Sequence, residues 1–225
     1  MTATPNDPVT PAGTSHVEGP RDGLRRTPLL NVAELPDVVF GPRDIMWWGT
    51  MGFVVIEGFT LALCLVVYLY LWKNFTEWPP AGTERPTLTA PTIQVAVMLL
   101  SLPFVRWLER RAQEFDLPRV RRGLLVATLW LGAMVVLRAF ELQALRVMWH
   151  TNAYGSAQWL VVVSHATLVL IEFVEIAGMA ALFWFGTIER KHFSDVADLG
   201  LYWVFLVLAW LPCYVLNYLG PRYFM

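Results

Sequence analysis

MWWGTMGFVVIEGFTLALCLVVYLYLW, the stretch from residue 46 to residue 72, contains a single charged side chain, Glu57. It is longer than the roughly 20 residues that an α-helix needs to cross the hydrocarbon core of a bilayer. A segment inside lipid has to satisfy its own backbone hydrogen bonds, and an uninterrupted apolar run does so only as a helix. The stretch therefore predicts a transmembrane helix.

Apolar runs of similar character follow at residues 91–108, 123–145, 157–188 and 199–219. Together with the first run they predict an all-α fold, a polytopic bundle of about five transmembrane helices that occupies residues 44–225. Pro103 and Pro212 fall within two of these runs, where a proline removes a backbone hydrogen bond and kinks the helix. We expect neighbouring helices to cover both kinks.

The composition agrees with a membrane protein and excludes several other classes. Hydrophobic residues make up 56% of the chain, charged residues only 16%, and there are 11 tryptophans, which is far more apolar than a soluble domain. A net charge of -1 argues against a nucleic-acid partner, which requires a concentrated basic surface. Cys64 and Cys213 lie inside apolar runs, so they are predicted to be packing residues rather than disulfide or zinc ligands.

Residues 1–43 are rich in Pro, Gly, Thr and Asp and lack a long apolar core. This composition predicts a cytoplasmic, extended or disordered tail ahead of the membrane domain. The alternative is that its apolar residues contact a membrane surface or a partner; these are Leu29, Leu30, Val32, Leu35, Val38, Val39 and Phe40.

The cations are distributed unequally between alternate loops, which predicts the orientation because Lys and Arg are retained on the cytoplasmic side. One side holds Arg21, Arg25, Arg26, Arg43, Arg106, Arg110, Arg111, Arg119, Arg121, Arg122, Arg190 and Lys191. The other side holds Lys73, Arg85, Arg138, Arg146 and Arg222. The distribution predicts an N-terminus inside and a C-terminus outside, which agrees with an odd number of crossings.

Ionisable side chains inside the apolar runs are the first candidates for function. Each costs about 2.5–3.5 kcal/mol at the centre of a membrane helix, so each should face protein, water or a lipid headgroup. They are Glu57 in the first run, Arg138 and Glu141 in the third, and His165, Glu172 and Glu175 in the fourth. Glu57 is predicted to be a buried neutral acid, with a role in proton relay as the alternative.

Two of these groups have spacings that predict contacts. Arg138 and Glu141 lie three positions apart on one helix face and can pair with each other. His165 and Glu172 are two helical turns apart, and Glu175 lies on the same stripe, which would offer a metal two or three ligands. The chain has only four histidines and no His-x-x-His or His-x-x-x-His pair. A hydrogen-bonded polar stripe between helices is therefore favoured over a metal or haem site.

Four features of the sequence occur in a familiar order. Trp48-Gly49 opens a helix that carries Glu57; Glu141 ends a helix and is followed by Tyr154-Gly155-Ser156; His165 comes in the next helix; and the chain closes with His192 and the aromatic segment Tyr202, Trp203, Phe205, Trp210, Tyr214 and Tyr218. From about Asp44 to Arg222, this order resembles subunit III of the cytochrome c (haem-copper) oxidases. The similarity is to a short, bacterial-type form that lacks the two N-terminal helices of the seven-helix form.

The sequence departs from that family at several motif positions. Leu168 stands where the family has the second histidine of His-x-x-His, and Val204 and Val207 stand where it has His and Asp. The roles of those family residues are therefore not carried over. In the seven-helix form, the two extra helices help to enclose a cleft that holds phospholipids, so this cleft should be altered or open here.

The resemblance implies an accessory subunit that is not catalytic by itself and that holds no cofactor, with haem and copper in partner subunits. Its partners would be oxidase subunit I, in direct contact, subunit II and other subunits, and membrane lipids, with bound phospholipid as a candidate ligand. It would support stability, lipid environment, and proton uptake and translocation during aerobic respiratory electron transport, as a multi-pass protein of the bacterial inner membrane. The alternatives are a subunit III-like partner of a nitric oxide reductase, a small proton-conducting transporter and an intramembrane metalloenzyme.

The same resemblance and the cost of polar groups in lipid give one set of candidate residues for membrane-embedded polar, lipid or partner contacts. The set is Glu57, Arg138, Glu141, Tyr154, His165, Glu172, Glu175, His192 and Trp203.

Overall fold

The computed structural model describes residues 38–223 and shows five long helices in that part of the chain. They are α1 (Ile45–Asn74), α2 (Thr89–Gln113), α3 (Leu117–Ala144), α4 (Ala153–Phe185) and α5 (Lys191–Tyr214), and α5 continues through a π-helical segment (Val215–Leu219) into the short α6 (Gly220–Tyr223). All five are long and apolar enough to cross a membrane. The prediction of an all-α bundle with about five transmembrane helices is confirmed. The predicted orientation stays a prediction.

The predicted tail lies mostly outside the described residues, and so do Leu29, Leu30, Val32 and Leu35. Its last residues belong to the helical unit. A short 3₁₀ turn, Gly41–Arg43, leads into α1, and the carbonyl oxygen of Pro42 accepts a hydrogen bond from Trp48 Nε1 at 3.0 Å. The Phe40 ring packs against Phe115, in the turn between α2 and α3, with ring centroids 5.7 Å apart.

Polar side chains cap three of the helices, which explains where these helices begin. Asp44 caps α1, Asp116 caps α3 and Asn152 caps α4, each accepting a hydrogen bond from a backbone N–H of the first turn. Desolvation, the largest single effect, raises the pKa of the Asp116 carboxyl. Hydrogen bonds from Arg119, and the charges of Arg119 and Arg111, outweigh that effect and hold this pKa below its ordinary value of 3.8.

The helices differ from the predicted runs at several ends, and two of these differences concern α5 and α4. The last helix begins at Lys191 rather than at residue 199, because its first two turns carry polar residues that a hydropathy pattern does not include. The fourth helix ends at Phe185 rather than at residue 188; Gly186 is extended, and its N–H donates to the Leu182 carbonyl oxygen. The earlier start of α5 matters because it places Asp195 and Asp198 on a helix that is long and apolar enough to cross a membrane.

Helix α2 packs against α3 and α5, α4 packs against α3 and α5, and α1 packs against α4 and α5. The largest side chains buried between them are aromatic: Trp203, Trp210, Tyr68, Tyr154, Tyr218 and Phe183. Helix α1 is the least buried, since only Leu61, Cys64 and Tyr68 of its side chains are buried in the chain. Its outer apolar face must therefore be covered by lipid or by another protein.

The two helix prolines do not lie where we expected them. Pro103 and Pro212 are both exposed in the described chain, so the expectation that neighbouring helices of this chain cover them is wrong. Pro212 lies three residues before the π-helical segment Val215–Leu219, a change of hydrogen-bond register of the kind found where a helix is perturbed. Cys64 and Cys213 are buried free thiols, as their place in the apolar runs predicted.

Candidate functional site

Arg138 and Glu141 form a buried ion pair within α3. Arg138 Nη1 lies 2.5 Å from Glu141 Oε2, and the two side chains are only 4% and 0% exposed. The pairing predicted from their spacing is therefore confirmed. The Arg138 guanidinium also lies over the Trp210 ring of α5, 3.8 Å from its centroid. A desolvated cation over an indole adds about 2 kcal/mol or more to such a contact.

His165, in α4, completes this cluster and joins three helices. Arg138 Nη2 lies 2.7 Å from His165 Nδ1, and because a guanidinium only donates, Nδ1 must accept. Nε2 therefore carries the proton and donates to the Leu206 carbonyl oxygen of α5, 2.9 Å away. Both ring nitrogens of this neutral imidazole are engaged, so ligating a metal would cost the histidine one of these bonds.

We define the buried cluster as Arg138, Glu141, His165 and Trp210. One cation and one anion balance each other in it, and the histidine is neutral, so the cluster carries no net charge. Buried charges are tolerated when they are paired and hydrogen-bonded in this way. The arrangement locks α3, α4 and α5 together.

Glu172 and Glu175, farther along the α4 stripe, have surroundings different from those of His165. Glu172 is fully buried, and neither of its carboxylate oxygens has a hydrogen-bond partner among residues 38–223. It lies within electrostatic range of Glu175 and of Glu57 in α1. The polar stripe on α4 is therefore split between two environments, one facing α3 and the other facing α1.

Glu57 lies beside an open cavity between α1, α4 and α5. It is partly buried, and its Oε2 accepts a hydrogen bond from the Tyr202 hydroxyl of α5. The cavity has a volume of about 540 Å³. Its lining residues are Met46, Gly49, Thr50, Phe53, Glu57, Ile171, Glu175, Met179, Asp195, Asp198, Leu199 and Tyr202.

The sequence reasoning missed three residues of this acidic cavity, which is the name we use for it below. Asp195, Asp198 and Tyr202 lie on one face of α5, because residues spaced by four positions or by seven fall on the same side of a helix. That spacing was the available signal. It was lost because the apolar run was taken to begin at residue 199, beyond both aspartates.

The remaining predicted residues stabilise the bundle at other places. Tyr154 is buried, and its hydroxyl accepts a hydrogen bond from Gln158 Nε2 at 2.7 Å. Trp203 Nε1 donates to Ser101 Oγ of α2 at 3.0 Å. His192 lies apart from the buried groups, at the start of α5, where its Nδ1 accepts from the backbone N–H of Glu189.

The acidic and histidine side chains of the described residues do not gather into a metal site. Within residues 38–223, no three His, Cys, Asp or Glu side chains converge so that they could hold a metal ion. The polar groups instead form a self-contained buried cluster and an open acidic cavity. Such an arrangement can carry protons, bind cations or join subunits.

Comparison with known proteins gives one informative similarity. The chain is 22% identical to cytochrome c oxidase subunit 3 of Thermostichus vulcanus over 184 residues, which cover 80% of this chain and 90% of that protein. No family model matches the chain. Because the aligned region covers most of both chains, the similarity extends over several helices and is not confined to one motif.

Proposed function

We propose that this chain is an accessory subunit of the subunit III type in a haem-copper terminal oxidase. The observation that carries the proposal is the similarity to an oxidase subunit 3 along 80% of the chain. In this role the chain packs directly on the catalytic subunit I, alongside subunit II and membrane lipids, in the inner membrane of a bacterium. It supports the stability of the complex and its proton uptake during aerobic respiration.

The chemistry of the polar groups supports a role without a cofactor in this chain. Among residues 38–223, His165 is the one histidine buried within the bundle, and both of its nitrogens already have partners. Haem iron and copper in proteins need imidazole, thiolate or thioether ligands with free electron pairs. We therefore propose that haem and copper are held by the partner subunits.

Affinity purification in a mild detergent tests the proposal. We expect the tagged chain to bring down a haem-bearing subunit, detected by its visible absorption spectrum, in a fixed ratio. Recovery of the chain without a haem protein, from membranes that contain the oxidase, would contradict the proposal. The haem type of the complex, and its activity with oxygen or nitric oxide, separate an oxidase from a nitric oxide reductase as the partner.

A second function, a small proton-conducting transporter, is favoured by one observation. Glu172 is buried without a hydrogen-bond partner in the described chain, near Glu57 and Glu175, and carboxyl groups at such depth often mark proton relays. Proton flux through liposomes that contain only this chain, abolished by Glu57→Gln, would support it. If the liposomes conduct no more than empty ones, the transporter hypothesis is wrong.

A further inference from the structure

Two chemically different sets of side chains line the acidic cavity. Its carboxyl groups come from Glu57 on α1, Glu175 on α4, and Asp195 and Asp198 on α5. Its apolar side chains come from the same three helices and are Met46, Phe53, Ile171, Met179 and Leu199. A volume of about 540 Å³ lies within the range of sites that hold small organic ligands.

One of these carboxyl groups is buried and lacks a partner. Asp198 is only 6% exposed, and its Oδ2 accepts no hydrogen bond from residues 38–223. Glu172, which is fully buried, likewise has both carboxylate oxygens without partners in this part of the chain. Unsatisfied buried acceptors are costly, by about 1–3 kcal/mol each and more when charged. A bound donor would remove that cost.

The lining of the cavity contains no basic side chain to balance these acids. Lys191 and His192, at the start of α5, interact electrostatically with Asp195, but both also have other partners. Lys191 Nζ lies 2.7 Å from Glu189 Oε2, and His192 accepts a hydrogen bond from the Glu189 N–H. The four carboxyl groups of the lining are therefore only partly balanced by charges of residues 38–223, and the cavity favours a cationic donor.

We propose that the acidic cavity binds an ammonium group that carries an apolar chain. The carboxyl groups would accept hydrogen bonds from the ammonium, and the rings of Tyr202 and Phe53, which line the same space, are suited to a cation. The apolar lining side chains would contact the attached chain. A bare divalent metal fits less well, because within the described residues no three ligands converge on one point. Two kinds of molecule could supply such an ammonium group, an aminophospholipid through its headgroup or a free amphipathic amine.

Two glycines of α1 offer a matched pair of variants that leaves the acids untouched. A Cβ added at Gly49 or at Gly52 would meet no atom within 4 Å, so either position accepts a larger side chain. Gly49 lines the cavity, whereas Gly52 is not among the lining residues. Gly49→Leu should therefore fill the cavity, and Gly52→Leu should add the same apolar volume outside it.

The test uses the full-length chain in phosphatidylglycerol nanodiscs and n-decylammonium as the probe, with binding measured by calorimetry. We expect saturable binding of n-decylammonium and none of n-decanol or n-decanoate beyond partition into lipid. Asp198→Asn should weaken binding by about tenfold or more, because it removes a desolvated charge partner. Gly49→Leu should weaken it by a similar factor, and Gly52→Leu should leave it unchanged.

A far-UV circular dichroism spectrum and a melting temperature establish that each variant is folded. If Asp198→Asn does not fold, the comparison of Gly49→Leu with Gly52→Leu still tests the proposal. The proposal is overturned if n-decanol binds as well as n-decylammonium, or if Gly49→Leu and Gly52→Leu bind the amine alike. Repeating the titration in nanodiscs that contain phosphatidylethanolamine shows which kind of molecule supplies the ammonium group. Competition with the probe identifies a lipid headgroup, and undiminished probe binding identifies a free amine; both results support an ammonium site.

Discussion

Replacing Arg138 with methionine should destabilise the bundle far more than removing a surface arginine. The Arg138–Glu141 pair is 4% and 0% exposed, so the substitution leaves a buried carboxylate without its cation. Breaking a buried pair by removing one partner costs about 3–5 kcal/mol. This range also includes the free energy of the lost contact with Trp210 and of the lost hydrogen bond to His165. The three contacts share one guanidinium, so their contributions are not additive.

The chain offers a control with the same spacing and the same separation. Arg111 Nη1 lies 2.5 Å from Glu114 Oε2, also three positions apart, but these side chains are 29% and 56% exposed. Exposed pairs contribute about 0–1 kcal/mol. Arg111→Met should therefore change the free energy of unfolding by no more than about 1 kcal/mol, although the atoms removed are the same.

A double variant separates the charge from the packing. Arg138→Met with Glu141→Met removes both charges and leaves His165 Nδ1 without its donor, which costs about 1–3 kcal/mol. The double variant should therefore be more stable than Arg138→Met alone. The assay is reversible unfolding of the full-length chain in mixed micelles titrated with dodecyl sulfate, followed by tryptophan fluorescence. The reasoning fails if Arg138→Met and Arg111→Met lose equal stability, or if the double variant loses the sum of the single losses.

Three further substitutions test other parts of the structure. Glu57→Ala should lower the recovery of the assembled complex or shorten its catalytic lifetime without changing the haem spectrum. Glu57→Gln keeps a hydrogen-bond acceptor for the Tyr202 hydroxyl, so its effect should be smaller. Altered haem content in an assembled complex would contradict a supporting role. Gly155→Ala should lower the free energy of unfolding by about 1–3 kcal/mol, because the added Cβ would overlap a backbone carbonyl oxygen. Gly178→Ala, in open space on the same helix, should raise it by about 0.5–1 kcal/mol. Equal melting temperatures of the two variants would contradict this reasoning. Asp116→Asn should lower the melting temperature at pH 7. Because the folded pKa of that carboxyl lies below its ordinary value of 3.8, its contribution is present above pH 3.8 and is lost as the pH falls through the folded value, so the difference should shrink progressively below pH 3.8. A difference that persists undiminished in stronger acid would exclude this cause.

The fold and one polar contact followed from the sequence because both depend on local spacing. Apolar runs long enough to cross a bilayer have one structural solution, and residues 38–223 contain five such helices. The Arg138–Glu141 pair also depends only on positions within one helix. Neither inference needed to know which helices are neighbours.

The remaining site could not be predicted because it depends on which helices pack together. His165 and Glu172 lie on one stripe of α4, but the first meets Arg138 of α3 and the second lies near Glu57 of α1. A single-helix stripe therefore belongs to two environments. Asp198 was missed for a related reason, since the polar turns with which α5 begins fall outside the apolar window that located the span.

The two polar regions should respond differently to assembly, because they differ in how their charge is balanced. The buried cluster is neutral within this chain and is held by α3, α4 and α5, so a partner need not complete it. The acidic cavity depends on α1, the helix with the fewest buried side chains, and its acids lack a cation among the lining residues. A partner or lipid that packs on the outer face of α1 would shift the position of Glu57 relative to Asp198 and so change the cavity. Binding in the acidic cavity should therefore be sensitive to the state of the complex, whereas the stability supplied by Arg138 should be the same in the free and the assembled subunit.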